Sequence, residues 1–325
     1  MEIYVLVLIS LFFVSIFYLK LAKKLNILDK PNERSSHKQV TVRGGGIVFA
    51  ISILLFFLLN DFQYPYFFAG VMIISIVSFF DDIITLSSKI RFPFQLLAIF
   101  LILLQVGLPF HPIYLFGIAL ISGVGVINMF NFMDGVNGIT GLYSLTSLFG
   151  LYLVNLNENI VNSDLIIYVA LSLLVFGVYN FRKKALFFAG DIGSITIGVL
   201  IFFIGLSLTI NLSSPIIILL IMVYGADAGN TLLYRKIFTR ESIFDAHRHH
   251  IYQKLVDVYK MSHLKVSIIY GVLQLLFNVV VFKAYKLDIV IQLIIVFSLS
   301  MFLIICYALL FKLIKNKELS NNNAS

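Results

Sequence analysis

Hydrophobic runs of about 16–22 residues recur from one end of this chain to the other, each long enough to cross a hydrocarbon core of roughly 30 Å. A water-soluble core cannot absorb them. Of the 325 residues, 60% are hydrophobic and 12% are charged, against roughly 25% charged in a soluble domain. The surface of such a soluble fold would be one continuous apolar patch. The chain therefore reads as an all-α polytopic membrane protein. Segmentation places eleven candidate spans at 3–19, 45–59, 66–80, 92–108, 113–130, 139–156, 165–181, 192–212, 215–233, 264–282 and 289–311. The second and third are short, so ten or eleven transmembrane helices are expected. The first run lacks a basic segment before it and is followed by Lys20, Lys23 and Lys24, which predicts a retained span instead of a cleaved leader. Residues 1–315 are expected to form one integral membrane domain, and the polar residues 316–325 a disordered tail.

The cations fix a sidedness. Alternate loops hold 22 of the 24 Lys and Arg, in the stretches 20–43, 89–91, 182–184, 235–265 and 312–317, leaving only Lys283 and Lys286 on the other side. The positive-inside rule then puts the N-terminus outside and the C-terminus in the cytoplasm. The net charge of +8 is explained by these loops, and no nucleic acid partner is expected. The single cysteine, Cys306, lies in an apolar run, so neither a disulfide framework nor a thiolate metal site is available.

Acids at a membrane edge are costly, and five of them fall on the predicted cytoplasmic side: Asp81, Asp82, Asp134, Asp191 and Asp227. One aspartate at a helix start is an ordinary cap. An adjacent pair such as Asp81–Asp82 repels itself and calls for a cation or a Lys/Arg partner. Oxygen donors with no Cys or His nearby in sequence favour a hard ion, Mg²⁺ first and Mn²⁺ second. Gly190-Asp191-Ile-Gly193-Ser194 opens a span, and its backbone N–H groups are expected to face a phosphate. Gly44-Gly45-Gly46 is a weaker version of the same signal and is more often close helix packing. Asp245-Ala-His247-Arg248-His249-His250 suits a grip on phosphates, with a His-rich metal tract as the other reading. His111 and His263 read as structural. Together these groups describe a one-sided cleft suited to phosphoryl transfer between a soluble nucleotide and a membrane lipid.

Five motifs in order resemble the polyprenyl-phosphate N-acetylhexosamine-1-phosphate transferases (glycosyl transferase family 4), relatives of phospho-N-acetylmuramoyl-pentapeptide transferase. They are Pro31-Asn-Glu-Arg34-Ser-Ser-His37 with Arg43-Gly44-Gly45-Gly46; Phe80-Asp81-Asp82 with Lys89, Arg91 and Gln95; Asn128 through Gly138; Gly190 through Ser194; and Ala246-His247-Arg248-His249-His250-Ile-Tyr252-Gln253. The histidine segment is closest in style to enzymes that initiate O-antigen and capsule synthesis. The resemblance implies a bacterial plasma-membrane enzyme with its active site on the cytoplasmic face. It would transfer an N-acetylhexosamine-1-phosphate from a UDP-sugar to undecaprenyl phosphate and release UMP. A homodimer is the oligomeric state it suggests. On this reading Asp81, Asp82 and Asp191 are catalytic, and Asp191 and Asp82 hold Mg²⁺. Lys89, Asn128, Asn131, Asp134, Asn137, His247, Arg248 and His250 bind the substrates. Asn137 departs from the family pattern, which has a second acid there; hydrogen bonding to sugar or uridine is expected to suffice. Whether Asp81 or Asp82 takes a proton or attacks covalently is left open by the sequence. An ion-coupled transporter is the main rival, yet its sites sit at the midplane of repeated halves, and no repeat is visible here. An inactive scaffold has only Asn137 in its favour.

Overall fold

The computed structural model describes residues 2–29, 39–239 and 248–322. Among the described residues twelve α-helices follow one another: α1 (Glu2–Lys24), α2 (Ile47–Leu59), α3 (Pro65–Ile84), α4 (Ser88–Val106), α5 (Ile113–Met133), α6 (Ile139–Glu158), α7 (Ser163–Asn180), α8 (Gly190–Leu212), α9 (Met222–Tyr234), α10 (Ile251–Asp257), α11 (His263–Ala284) and α12 (Ile289–Asn322). A 3-10 turn, Pro215–Ile221, leads into α9, and a π turn, Arg235–Thr239, follows it. Among the described residues ten helical segments are long and apolar enough to cross a membrane, with Pro215–Thr239 counted as one. The chain is an all-α polytopic membrane protein. The eleventh expected span, α2, has 13 residues; at about 1.5 Å per residue it reaches only about 20 Å.

Two boundaries differ from the sequence reading. The third span, cut at residue 80 because of the aspartate pair, runs through Asp81 and Asp82 to Ile84. Arginines answer both carboxylates, so the helix is free to continue through them. The polar residues from 316 on continue α12 to Asn322 instead of leaving it. Lysine, glutamate and leucine are good helix formers, and Glu318 pairs with Lys254 of α10 at 2.9 Å.

The centre of the bundle is α8, which is hydrophobic on every side and buried along most of its length, as such a helix must be. Helices α3 and α5 flank it, α11 packs on α6, and α2 packs on α7. Helices α1, α5 and α12 turn large apolar side chains outward, among them Phe13 (66% exposed), Ile121 (73%) and Phe297 (68%). These outward faces suit lipid and would be untenable in water.

The helices alternate in direction, so the loops collect at two ends. One end is tied by Tyr4 donating to Asp164, Asn162 donating to Asn60 and Gln63, and Lys286 pairing with Glu158. At the other end Leu28–Asp29 pairs antiparallel with Thr41–Val42, Leu28 opposite Val42 and Asp29 opposite Thr41. Val42 bridges on to Phe187, and Gly45 and Gly46 donate their N–H groups to the carbonyls of Phe188 and Ala189. This short zipper locks the strand carrying Arg43 against the start of α8. The glycine triplet thus serves close packing: a side chain at Gly46 would run into the backbone of Gly193.

Candidate active site

The last turn of α3 sends its two aspartates in different directions. Asp82 points at the start of α8, where Asp191 N donates to Oδ1 at 2.8 Å and Ile192 N to Oδ2 at 3.2 Å. Arg43 Nε completes the set at 2.6 Å, and the carboxylate is wholly buried. Position 190 must be glycine: its φ is +72°, and a β-carbon there would collide with the Asp82 carboxylate. The anion at this helix N-terminus is therefore the protein's own Asp82. The phosphate expected at these N–H groups finds them taken, because a carboxylate only one helix away reaches them first.

Asp81 turns the other way. Leu86 N donates to its Oδ1 at 2.5 Å, closing the reversal after α3, and Arg91 Nη1 lies 2.7 Å from Oδ2. Asp191 stands between the two arginines. Its Oδ1 accepts from Asn131 Nδ2 at 2.9 Å and from Arg43 Nη2 at 3.3 Å, and its Oδ2 lies 3.4 Å from Arg91 Nη1. Asn131 also donates to Ser194 Oγ at 3.3 Å, which holds the amide in place. Among the described residues three carboxylates thus share two guanidinium groups in a largely water-excluded cluster. Asp191 is 17% exposed at the side chain, against 4% for Asp81 and none for Asp82.

This charge pattern decides how a hard cation fits. Among the described residues no three His, Cys, Asp or Glu are arranged to hold a metal by themselves. Mg²⁺ does not require such a cage, since it is commonly held by one or two carboxylates plus water and substrate phosphates. Asp191 suits it best of the three: its carboxylate is the least buried and is held at 3.3 and 3.4 Å by its arginines. Asp82, expected as the second ligand, has both oxygens engaged by two N–H groups and Arg43.

The other expected binding residues divide. Asp134 follows α5 and accepts from Thr140 Oγ1 at 2.6 Å. Burial pushes its carboxyl up to about 6 and nearby Asp191 adds to the rise, opposed by the Thr140 hydrogen bond and by Arg43. Lys89 is exposed on the first turn of α4, at the same end. Asn128 instead pairs with Gln95 of α4, donating to its Oε1 at 3.0 Å, and with the Val124 carbonyl at 2.8 Å. Asn137 is 5% exposed and donates through Nδ2 to the carbonyls of Arg182 and Lys183 at 3.0 and 3.2 Å. Its own N–H reaches His263 Nδ1 at 3.3 Å, in keeping with a structural role for that histidine. Asn137 staples two loops through these bonds.

His247 lies outside the described residues. Arg248 is held by Asp257, with Nη2 2.9 and 2.8 Å from its two oxygens. His250 is 3% exposed, its Nδ1 3.1 Å from the buried Asp227. His250 thus places its Nδ1 on the buried Asp227 carboxylate, which needs donors. The structure unites Asp81, Asp82, Asn131 and Asp191 with Asp134 close by, and adds Arg43 and Arg91 to the centre. The need of paired acids for counter-charge signals such partners in advance, but which cations answer is a matter of tertiary contact.

Residues 64–209, from α3 to α8, match the family model of glycosyl transferase family 4. No curated protein matches the chain. The matched stretch carries Asp81, Asp82, Arg91, Asn131, Asp134 and Asp191, most of the cluster described above. Over that stretch, under half of the chain, the protein is similar to glycosyl transferase family 4, a likeness that supports a transferase embedded in the membrane.

Proposed function

We propose that this protein transfers an N-acetylhexosamine-1-phosphate from a UDP-sugar to undecaprenyl phosphate, releasing UMP, as the opening step of a cell-surface polysaccharide. The observation that carries the reading is the cluster of Asp81, Asp82 and Asp191 on Arg43 and Arg91, at one end of a membrane bundle. The cation-rich loops lie at that same end, which the positive-inside rule assigns to the cytoplasm of a bacterial cell.

The lipid phosphate is already an anion, so an oxygen of it can attack the β-phosphorus directly while the bond to UMP breaks. No proton need move in that step. The greater obstacle is the mutual repulsion of two phosphate groups. We assign Mg²⁺ (or Mn²⁺) to Asp191; when bound it would neutralise charge on the pyrophosphate. Asn131 holds the Asp191 carboxylate through Oδ1, with Arg43 and Arg91 beside it. Asp82 fixes the start of α8 and the Arg43 side chain, and Asp81 fixes Arg91. With their oxygens so engaged, Asp81 and Asp82 are poorly placed as covalent nucleophiles, which favours direct displacement. Lys89 and Arg248 are the remaining cations assigned to phosphate.

The test is UMP release by purified protein given undecaprenyl phosphate and a panel of UDP-N-acetyl sugars, with Mg²⁺ or with EDTA. Lipid-dependent, chelator-sensitive release is expected with one of the sugars. No release with any sugar, from protein shown to be folded, would overturn the proposal.

A further inference from the structure

Of the five membrane-edge aspartates singled out by the sequence, Asp227 has no task in the reaction outlined above. It is fully buried on α9, yet it is the most heavily hydrogen-bonded of them. Thr231 Oγ1 and Ile251 N donate to its Oδ1 at 3.1 Å each, and His250 Nδ1 lies 3.1 Å from the same oxygen. Its Oδ2 accepts from Tyr252 N at 3.2 Å and from the Tyr270 hydroxyl. One carboxylate thereby joins α9, the first turn of α10, and α11. No side chain of its own caps α10, because His250 makes no such bond; the cap comes from Asp227 across the fold.

The contacts continue toward the transfer centre. Tyr252 is 1% exposed, and its hydroxyl donates to the Phe132 carbonyl at 3.0 Å. The same hydroxyl lies so close to Gly135 that a β-carbon there would meet it. Phe132 and Gly135 bracket Asp134. A continuous set of polar contacts therefore runs from Asp227 through Tyr252 to the Asp134 turn, and from Asp227 through His250 to the adjoining Arg248.

We infer that Asp227 is a positioning residue for sugar-phosphate transfer, holding the Arg248–His250 segment and, through Tyr252, the Asp134 turn in one fixed relative placement. The inference rests on the reaction proposed above. A carboxylate is required because five donors need two accepting oxygens. An amide at this position keeps one acceptor and turns an N–H₂ group toward either the Tyr252 N–H and Tyr270 hydroxyl or the donors on the other side.

The test compares full-length D227N, Y252F and the double variant with Q292A. Gln292 is a control at the opposite end, similarly buried and bonded to Ser214, Ile216, Tyr285 and Leu287. Hydrogen exchange of residues 250–257 is followed by mass spectrometry, alongside thermal unfolding and the kcat and KM of UMP release. D227N should speed exchange of this segment by roughly tenfold. It should lower kcat/KM about 100-fold and Y252F about 10-fold, as small misplacements of binding groups do. The double variant should be no worse than D227N. Q292A should lose comparable thermal stability while keeping both protection and turnover. Unchanged protection in D227N, multiplying effects in the double variant, or an equal loss of turnover in Q292A would overturn the inference. Exchange is read without substrate, so the outcomes separate. Faster exchange in D227N from a wild-type protein that releases no UMP would sink the proposed reaction, and the positioning role with it, while leaving the contact itself intact.

Discussion

Replacing Asn137 by Asp changes almost no volume, yet the structure makes it a severe substitution. The Asn137 amide nitrogen donates to two carbonyls, of Arg182 and Lys183, at 3.0 and 3.2 Å. An aspartate would set a negative oxygen at that distance from two other oxygens. Two hydrogen bonds of about 1 kcal/mol each are lost, and an unpaired, mostly buried carboxylate adds about 1–3 kcal/mol. Arg182 and Lys183 are themselves exposed, so water can reach their carbonyls and the total should settle near 3 kcal/mol. For a chain of 325 residues that corresponds to a drop of about 5 °C in unfolding temperature. A protonated aspartate restores one donor, so the defect should shrink below about pH 5. Asn137→Ala removes the bonds without adding charge and should cost less than Asn137→Asp at neutral pH. The assay is thermal unfolding in detergent across pH 4–8. An Asn137→Asp protein as stable as wild type at pH 7 would refute the reasoning and return Asn137 to the ligand-facing side of the site.

Other consequences are open to equally simple assays. Arg43→Lys keeps a charge but cannot span Asp82 and Asp191 together, so kcat/KM for UMP release should fall about 100-fold; an unchanged value would remove Arg43 from the centre. Gly190→Ala forces a β-carbon against Asp82 at a φ of +72° and should destabilise the protein by more than about 2 kcal/mol in thermal or denaturant unfolding. Asp134, with its pKa raised from 3.8 to about 6, keeps a proton in the folded chain that the unfolded chain has already released. Its contribution to stability is therefore greatest below the unfolded value and falls as pH rises from about 4 to 6. In metal-free detergent, Asp134→Asn should flatten that fall by about 1–3 kcal/mol; an unaltered pH profile would contradict the assignment.

Much of the architecture is legible in the sequence because membrane burial writes itself as length. Runs such as 192–212 and 289–311 have no other use, and ten of them become spans. Charge at a span's end is where that reading falters. Asp81 and Asp82 look like a terminus, but Arg43 and Arg91, far away or across a turn, let the helix carry them. The acids of the cluster are likewise foreshadowed, since buried acids must be answered. The partners are not, because Asp82 meets the backbone of Asp191 across 109 residues and no local spacing encodes that approach. The same holds for the glycine-rich start of α8, whose N–H groups look ready for a phosphate until Asp82 is seen to occupy them. His250 and Asn137 carry the right chemistry for a ligand and use it on their own fold. Polar side chains under packing constraint and polar side chains facing substrate share one alphabet, and only the tertiary contacts tell them apart.

The central claim is that sugar and phosphate move together. It is tested most directly with a UDP-N-acetylhexosamine labelled at the β-phosphorus, incubated with the purified protein and undecaprenyl phosphate. The account predicts label in the lipid product and unlabelled UMP in solution. Label released to solution as UDP, with only the sugar on the lipid, would contradict it.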